Sequence, residues 1–404
     1  MSLSSLLILQ NNQIFTGFGI GTVGSWYGEC VFSTAMTGYT ESLTDPSYAG
    51  QILCFAYPLI GNYGTSESWY ESGQNSFGVM GAVGCIMSNY TQNQFHKDKN
   101  QTLEEFLLTN KRAGMWGIDT RKLVQILRDQ GNQQCVMVVD TAENIQKLQA
   151  DLLAGKTDFK TLCKTVNNPE EIGFVDWATK MGTKEVFEFE LENNKVSHKS
   201  KNETKNKTVA VMDCGIKYNI LRELKKRFQK VIVLPPTTSF EVIMSHQLDA
   251  ILLSNGPGDP RDYGYVIATV QELVKTNLPI MGICLGHQML SLAVGCDAYK
   301  MKFGNRGANQ PVQNMLTKKA YLTTQNHGYA ILPETIPADY ELFFQNLNDQ
   351  SVEGIIHKTK PIFSVQFHPE ACAGPQDTNW LFDQFVDSIP KPISTFTDLH
   401  TKLL

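Results

Sequence analysis

One cysteine stands between two glycines in Gly282-Ile283-Cys284-Leu285-Gly286-His287-Gln288, directly after the apolar run Pro279-Ile280-Met281. The run has the character of a short buried strand, and Gly286 to Val294 has helical spacing. A strand that breaks into a helix at one polar residue flanked by glycines is a nucleophile elbow. It holds the side chain at a sharp turn above the carboxyl end of a sheet. A cysteine nucleophile needs a base, and the base needs a group that orients it. His368 is the candidate base: it follows the apolar stretch 362–367 and opens His368-Pro369-Glu370. Extended residues two apart lie on one side, roughly 6–7 Å between α-carbons. Pro369 favours that form at His368, so the spacing predicts that Glu370 bonds the imidazole and fixes its tautomer. Taken singly, Cys284 also fits a packed core thiol and His368 a strand-end cap. It is their shared position at the carboxyl ends of predicted strands that makes them a pair.

The elements that must position this pair follow from the pattern after residue 207. Thr208 to Asp213, Val231 to Leu234 and Asp249 to Ser254 are continuous apolar strands. Helical stretches through Ile220, Leu221, Leu224 and Phe228 and from Tyr265 to Thr276 separate them. Such alternation predicts a doubly wound, mainly parallel sheet covered on both faces, with sites at the carboxyl ends of its strands. The glycine-rich stretch 255–258 and the elbow at 284 both fall there. Residues 193–207 carry five lysines and one apolar side chain, a solvated linker or exposed turn. The predicted division is therefore 1–150, a connecting segment 151–207, an α/β domain over 208–390, and a tail over 391–404.

The first 150 residues are rich in glycine, aromatic and β-branched residues and predict a β-rich α/β domain. Residues 1–9 read as its first strand rather than a signal peptide, because no basic segment precedes the apolar run. Thr102-Leu103-Glu104-Glu105 is a capping box, and Asp119 caps a second helix that ends near Gly131. Gly19-Ile20-Gly21-Thr22-Val23-Gly24 matches a dinucleotide fingerprint, but the aromatic stretch after it is strand-like rather than helical. The glycines are read as a β-turn and the cofactor is rejected.

Composition excludes several classes. At 404 residues the chain has room for more than one core, and 42% hydrophobic with 19% charged residues is ordinary for a globular protein. A net charge of −5 gives no general attraction to nucleic acid, and no apolar run has membrane-spanning length. The nine cysteines are scattered with neither a Cys-x-x-Cys pair nor zinc spacing. Reduced core thiols in a cytoplasmic protein are the simplest reading, and no metal site is expected.

Gly282-Ile-Cys284-Leu-Gly286-His-Gln288, Asn326-His-Gly328-Tyr329 and His368-Pro-Glu370, in that order, resemble the class I (triad) glutamine amidotransferases. Met36-Thr-Gly-Tyr-Thr-Glu-Ser-Leu-Thr-Asp-Pro-Ser-Tyr48, Tyr57 to Gly64 and Ile118 to Leu123 resemble the amino-terminal domain of carbamoyl-phosphate synthetase small subunits. The resemblance spans nearly the whole chain and implies a Cys284–His368–Glu370 triad that hydrolyses glutamine through a glutamyl thioester. It places the oxyanion donors at the backbone amides of Leu285 and Gly256. It maps substrate contacts to Ser47, Gly256, Leu285, Gln288, Asn326, Gly328 and Tyr329, with Ser47 also readable as a turn hydroxyl and Tyr329 as core packing. Asn305 and Gln310 stand where related sequences often carry histidine.

Neither a phosphate-binding loop nor an acidic magnesium cluster is recognisable in the sequence. The resemblance therefore implies a large partner subunit that holds ATP and magnesium and makes carbamoyl phosphate from bicarbonate and the ammonia supplied here. Arginine and pyrimidine synthesis are the destinations. Rival readings are an amidotransferase serving another synthetase, an inactive docking homologue, and a free-standing amide hydrolase.

Overall fold

Seven strands close on themselves in the first part of the chain. The computed structural model describes residues 3–73, 79–191 and 207–389. The chain forms two compact units, Met1–Val175 and Asp176–Leu404. The boundary lies before the Lys-rich stretch, and residues 151–175 pack with the first unit. Of the predicted linker, residues 193–206 lie outside the described residues, as does the tail 391–404.

The strands of the first unit are β1 (Leu3–Leu9), β2 (Ile14–Gly21), β3 (Gly24–Ser33), β4 (Gln51–Phe55), β5 (Leu59–Ile60), β6 (Gly84–Met87), β7 (Asn89–Tyr90), β8 (Ala113–Trp116) and β9 (Gln133–Asp140). Their order β1-β2-β8-β6-β4-β3-β9 makes a closed barrel, with β5 and β7 paired separately. Closure leaves no edge strand in the barrel. Its interior is filled by buried side chains such as Leu7, Trp26, Ile52, Met115 and Met137. The candidate fingerprint Gly19–Gly24 joins β2 to β3 through a tight turn, with Gly21 at φ 84° and Gly24 at φ 153°. No helix follows it, so the turn reading holds. The capping box at Thr102 and the Asp119 cap are both formed, and the second helix ends at Gly131.

The second unit is built on ten strands: β10 (Phe187–Glu188), β11 (Thr208–Met212), β12 (Lys230–Leu234), β13 (Ala250–Leu253), β14 (Ile280–Ile283), β15 (Ala298–Asn314), β16 (Ala320–Ile331), β17 (Tyr340–Asn346), β18 (Val352–His357) and β19 (Ile362–Val365). They form one sheet in the order β10-β12-β11-β13-β14-β19-β18-β17-β15-β16. The run β12-β11-β13-β14-β19 is parallel, as the alternation of strand and helix predicts. Beyond β19 the pairing turns antiparallel. Apolar clusters cover both faces of the parallel half: Ile220, Leu221, Leu224 and Phe385 on one, Val266, Val270, Leu285 and Met289 on the other. Burial on two faces is why β11, β13 and β14 are continuous apolar runs.

Candidate active site

The elbow forms at Cys284. Strand β14 ends at Ile283, Cys284 stands at φ 53° and ψ −104°, and the helix Leu285–Ala293 begins at the next residue. A non-glycine residue at such an angle is strained, a conformation that persists only where its surroundings enforce it. Here the surroundings are visible: the Cys284 amide donates to the Val365 carbonyl at 2.9 Å and its own carbonyl accepts from the Gln288 amide at 3.1 Å. The flanking glycines answer a packing demand. A Cβ on Gly282 would lie 2.7 Å from the Gly286 carbonyl oxygen, and one on Gly286 would lie 2.1 Å from that of Leu253. Helix and strand approach so closely that no side chain fits between them.

His368 follows β19 and bridges to Thr324 on β16, its amide donating to the Thr324 carbonyl at 2.9 Å. Its Nδ1 lies 2.7 Å from Glu370 Oε1, and both side chains are buried. The predicted partnership is present and His368 itself is bridged like a strand residue, but the extended form does not run on to Glu370. The Ala371 amide donates to the His368 carbonyl at 3.1 Å, so residues 368–371 make a turn, and the preceding strand stops at Val365. Because Nδ1 is taken by the carboxylate, Nε2 is the nitrogen left for Cys284, with which the ring interacts. Nε2 has no other hydrogen-bond partner. Burial opposes a charge on the imidazole, but Glu370 and Cys284 outweigh it and push His368 up to about 10. Burial likewise opposes a charge on Glu370, and Lys217 and His368 overcome it and hold the carboxyl far down.

Lys217 was not legible as a site residue. It caps the helix Tyr218–Lys225 after β11, with Nζ 3.2 Å from Glu370 Oε1 and 2.8 Å from the Ala371 carbonyl. Its amide donates to Asn255 Oδ1 at 2.9 Å, tying this loop to the glycine-rich one. The only signal in the sequence is a lysine two residues after Asp213-Cys214-Gly215, which closes an apolar strand.

Gly256 lies in that glycine-rich loop after β13. A Cβ there would meet the Cys214 carbonyl oxygen at 2.2 Å and Leu285 Cδ2 at 2.8 Å, so the structure brings Gly256 beside Leu285. Asn326 also converges on the thiol: Cys284 Sγ donates to its carbonyl at 3.6 Å. Gln288 reaches the same strand, donating from Nε2 to the Tyr329 carbonyl and to Gln366 Oε1, each at 3.0 Å. Gly328 lies between Asn326 and Tyr329 on β16. The Tyr329 ring faces the Arg261 guanidinium at 5.8 Å and the Lys300 ammonium at 5.9 Å. Cys284, Leu285, Gln288, Gly256, Asn326, Gly328, Tyr329, His368 and Glu370 thus gather at the carboxyl end of the parallel strands and on β16. Ser47 belongs to the first unit, in the turn Pro46–Tyr48, where its amide donates to Asp45 Oδ1 at 2.9 Å. Asn305 and Gln310 both sit on β15 and take polar partners, Asp349 at 2.9 Å and Asn348 at 3.1 Å.

Residues 210–388 match the family model described as glutamine amidotransferase class-I, and residues 7–137 match the carbamoyl-phosphate synthase small chain, CPSase domain. A carbamoyl phosphate synthase small chain of Methanocaldococcus jannaschii is 42% identical over 384 residues, which are 95% of this chain and 98% of that one. The chain belongs to the carbamoyl-phosphate synthase small-chain family. A second small chain, from Clostridium perfringens, is 40% identical over 380 residues, 94% of this chain and 98% of its own.

In this chain the two family models fall on different compact units, the amidotransferase model on the ten-stranded sheet and the CPSase domain model on the barrel. The elbow, the His368 turn and the Gly256 loop all lie within the amidotransferase match. All nine cysteines of the chain are free thiols. Among the described residues no helix is long and apolar enough to cross a membrane.

Proposed function

We propose that this chain is the glutamine-hydrolysing subunit of a carbamoyl-phosphate synthase, with Cys284 as nucleophile, His368 as base and Glu370 as the group that orients the base. The observation that carries the reading is the elbow cysteine beside an imidazole whose other nitrogen is held by a buried carboxylate at 2.7 Å.

In this reading His368 Nε2 takes the Cys284 proton, the raised proton affinity of the ring favouring a thiolate–imidazolium pair, and the thiolate attacks the carboxamide carbon of glutamine. The carbonyl oxygen becomes an oxyanion, met by the amides of Leu285 and Gly256. Fixed donors of this kind are worth about 3–4 kcal/mol each. His368 returns the proton to the departing nitrogen, ammonia leaves, and a γ-glutamyl thioester remains on Cys284. Water activated by His368 then adds to the thioester carbon, and collapse releases glutamate and restores the thiol. Gln288, Asn326, Gly328 and Tyr329 hold the substrate. Lys217 keeps Glu370 ionised, which favours the charged imidazole between the two proton transfers.

The ammonia passes to a large partner subunit that joins it to bicarbonate at the expense of ATP, with magnesium and nucleotide held on that subunit and no cofactor on this one. The expected destinations are arginine and pyrimidine synthesis in the cytoplasm. The test is glutamine hydrolysis by the purified chain with and without a carbamoyl-phosphate synthase large subunit, ATP and bicarbonate. Slow hydrolysis alone and strong stimulation in the mixture support the reading. Full activity with no partner would favour a free-standing hydrolase.

A further inference from the structure

The helix that starts at the elbow carries Gln288, and the nitrogen of its side-chain amide is held from two sides. Nε2 donates to the Tyr329 carbonyl and to Gln366 Oε1, each at 3.0 Å. The two acceptors come from different elements: Tyr329 lies on β16, and Gln366 follows β19, two residues before His368. Gln366 is fully buried. Its backbone amide donates to the Glu353 carbonyl at 2.8 Å, which carries the β18–β19 pairing one residue further and fixes the main chain there. Its side-chain Nε2 is buried without a hydrogen bond among the described residues, so the contact to Gln288 is the one directed interaction of that side chain.

Donor counting fixes the orientation of both amides. A backbone carbonyl only accepts, so the Gln288 atom that meets Tyr329 is the nitrogen. An amide nitrogen carries two hydrogens and accepts nothing, so the Gln366 atom that meets it is the oxygen. Both hydrogens of Gln288 Nε2 are then engaged, and Oε1 is the polar atom left. Oε1 has no protein partner among the described residues and is not sealed from solvent. An oxygen so placed can only accept, and the group that fits it is an N–H of the substrate. With Tyr329 as the sole acceptor, the amide could swing about one bond and turn its oxygen elsewhere. The second acceptor removes that freedom.

We infer that Gln366 is a positioning residue for the hydrolysis: its buried oxygen holds the Gln288 amide so that Oε1 stands ready for an N–H of glutamine before the substrate arrives. The inference rests on the glutaminase reading of Cys284. A binding side chain that is ordered in advance gives up no rotamer freedom when the ligand comes, and the gain appears as tighter binding. Among the described residues, neither the Gln366 side chain nor the Gln288 amide bonds the Cys284 sulfur or the His368 ring. The effect of Gln366 therefore belongs to substrate binding rather than to the chemical step.

The test measures kcat and KM for glutamine with the full chain, for wild type, Gln366→Leu, Gln288→Leu and the double variant. Leucine fills most of the volume of glutamine and offers no acceptor. Gln366→Leu should raise KM about tenfold, the loss of one well-aligned hydrogen bond, with kcat changed less than about threefold. In the Gln288→Leu background the same substitution should change KM less than about twofold, because the amide through which it acts is gone. The thermal midpoint of Gln366→Leu should stay within a few degrees of wild type. An unchanged KM in Gln366→Leu would overturn the inference, as would a KM effect of equal size in both backgrounds. A lowered midpoint with reduced kcat and constant KM would show a merely structural side chain and overturn it too. Nitrogen NMR of glutamine-labelled chain gives a readout without turnover, the Gln288 signals being those missing from Gln288→Leu. In wild type both side-chain hydrogens of Gln288 should exchange slowly with solvent, and in Gln366→Leu at least one should exchange about tenfold faster. Exchange in wild type as fast as that of an exposed glutamine, or exchange unchanged in Gln366→Leu, would contradict the hold on Gln288. Absence of any glutamine hydrolysis in wild type would instead overturn the glutaminase reading, leaving the exchange measurement to decide the hold.

Discussion

Lys217 and Glu370 form a buried ion pair, with Nζ 3.2 Å from Oε1 and side chains only 4% and 0% exposed. The same oxygen receives His368 Nδ1, so one carboxylate stands between two cationic partners. Removing one member of such a pair strands the other in a low-dielectric interior. Lys217→Ala should cost about 3–5 kcal/mol of stability, seen as a lower urea midpoint with unchanged slope. Glutamine hydrolysis should fall by about tenfold or more as the carboxylate loses its bias toward the charged form. A variant with wild-type stability and activity would show that the pair is incidental.

The His368–Glu370 pair gives stability a defined pH window. Glu370 titrates far below its unfolded value of 4.5, so its contribution is complete above that value and is lost as pH falls toward 2. His368 titrates above its unfolded value of 6.5, so its contribution is complete below 6.5 and is lost as pH rises toward 10. The difference in unfolding free energy between wild type and His368→Asn should therefore be greatest between pH 4.5 and 6.5 and shrink on both sides. Denaturant titrations at a series of pH values measure it. A difference that stays flat across the range would contradict the pairing.

The glycines of the site divide into two kinds. At Gly286 a Cβ would strike the Leu253 carbonyl oxygen at 2.1 Å, between helix and sheet, so Gly286→Ala should destabilise by about 1–3 kcal/mol or more. At Gly256 the clash is with the Cys214 carbonyl oxygen and Leu285 Cδ2, in the loops that carry the proposed oxyanion donors. Gly256→Ala should destabilise to a similar extent and, beyond that, lower kcat per folded molecule by about a hundredfold, which Gly286→Ala should not. A purely thermal effect at Gly256 would argue against a donor there.

Much of this was legible in the sequence where the physics is local. The elbow announces itself because a close strand-to-helix approach demands glycine on both sides of one polar residue at the break. The parallel half of the second sheet is visible because strands buried on two faces are continuous apolar runs. Barrel closure was not visible, since it depends on β1 finding β9 and β3 finding β4, pairings that no short window contains. Strand β15 hid for another reason: its stretch Gly304 to Gln313 is polar and glycine-bearing, with register shifts against β16, and has no period-2 signal. Lys217 was missed because a single charged residue in a sequence carries no mark of its burial. The turn after His368 was missed because Pro369, which favours an extended residue before it, also starts a turn at its own position.

The most direct test of the central claim is the covalent state of Cys284 during turnover. The full chain is mixed with glutamine, quenched in acid, and its intact and peptide masses are measured, for wild type and Cys284→Ser, alongside the rate of glutamate release. The account predicts one γ-glutamyl group on the peptide bearing Cys284 in wild type, with neither adduct nor glutamate release in the variant. Glutamine hydrolysis that survives Cys284→Ser would contradict it.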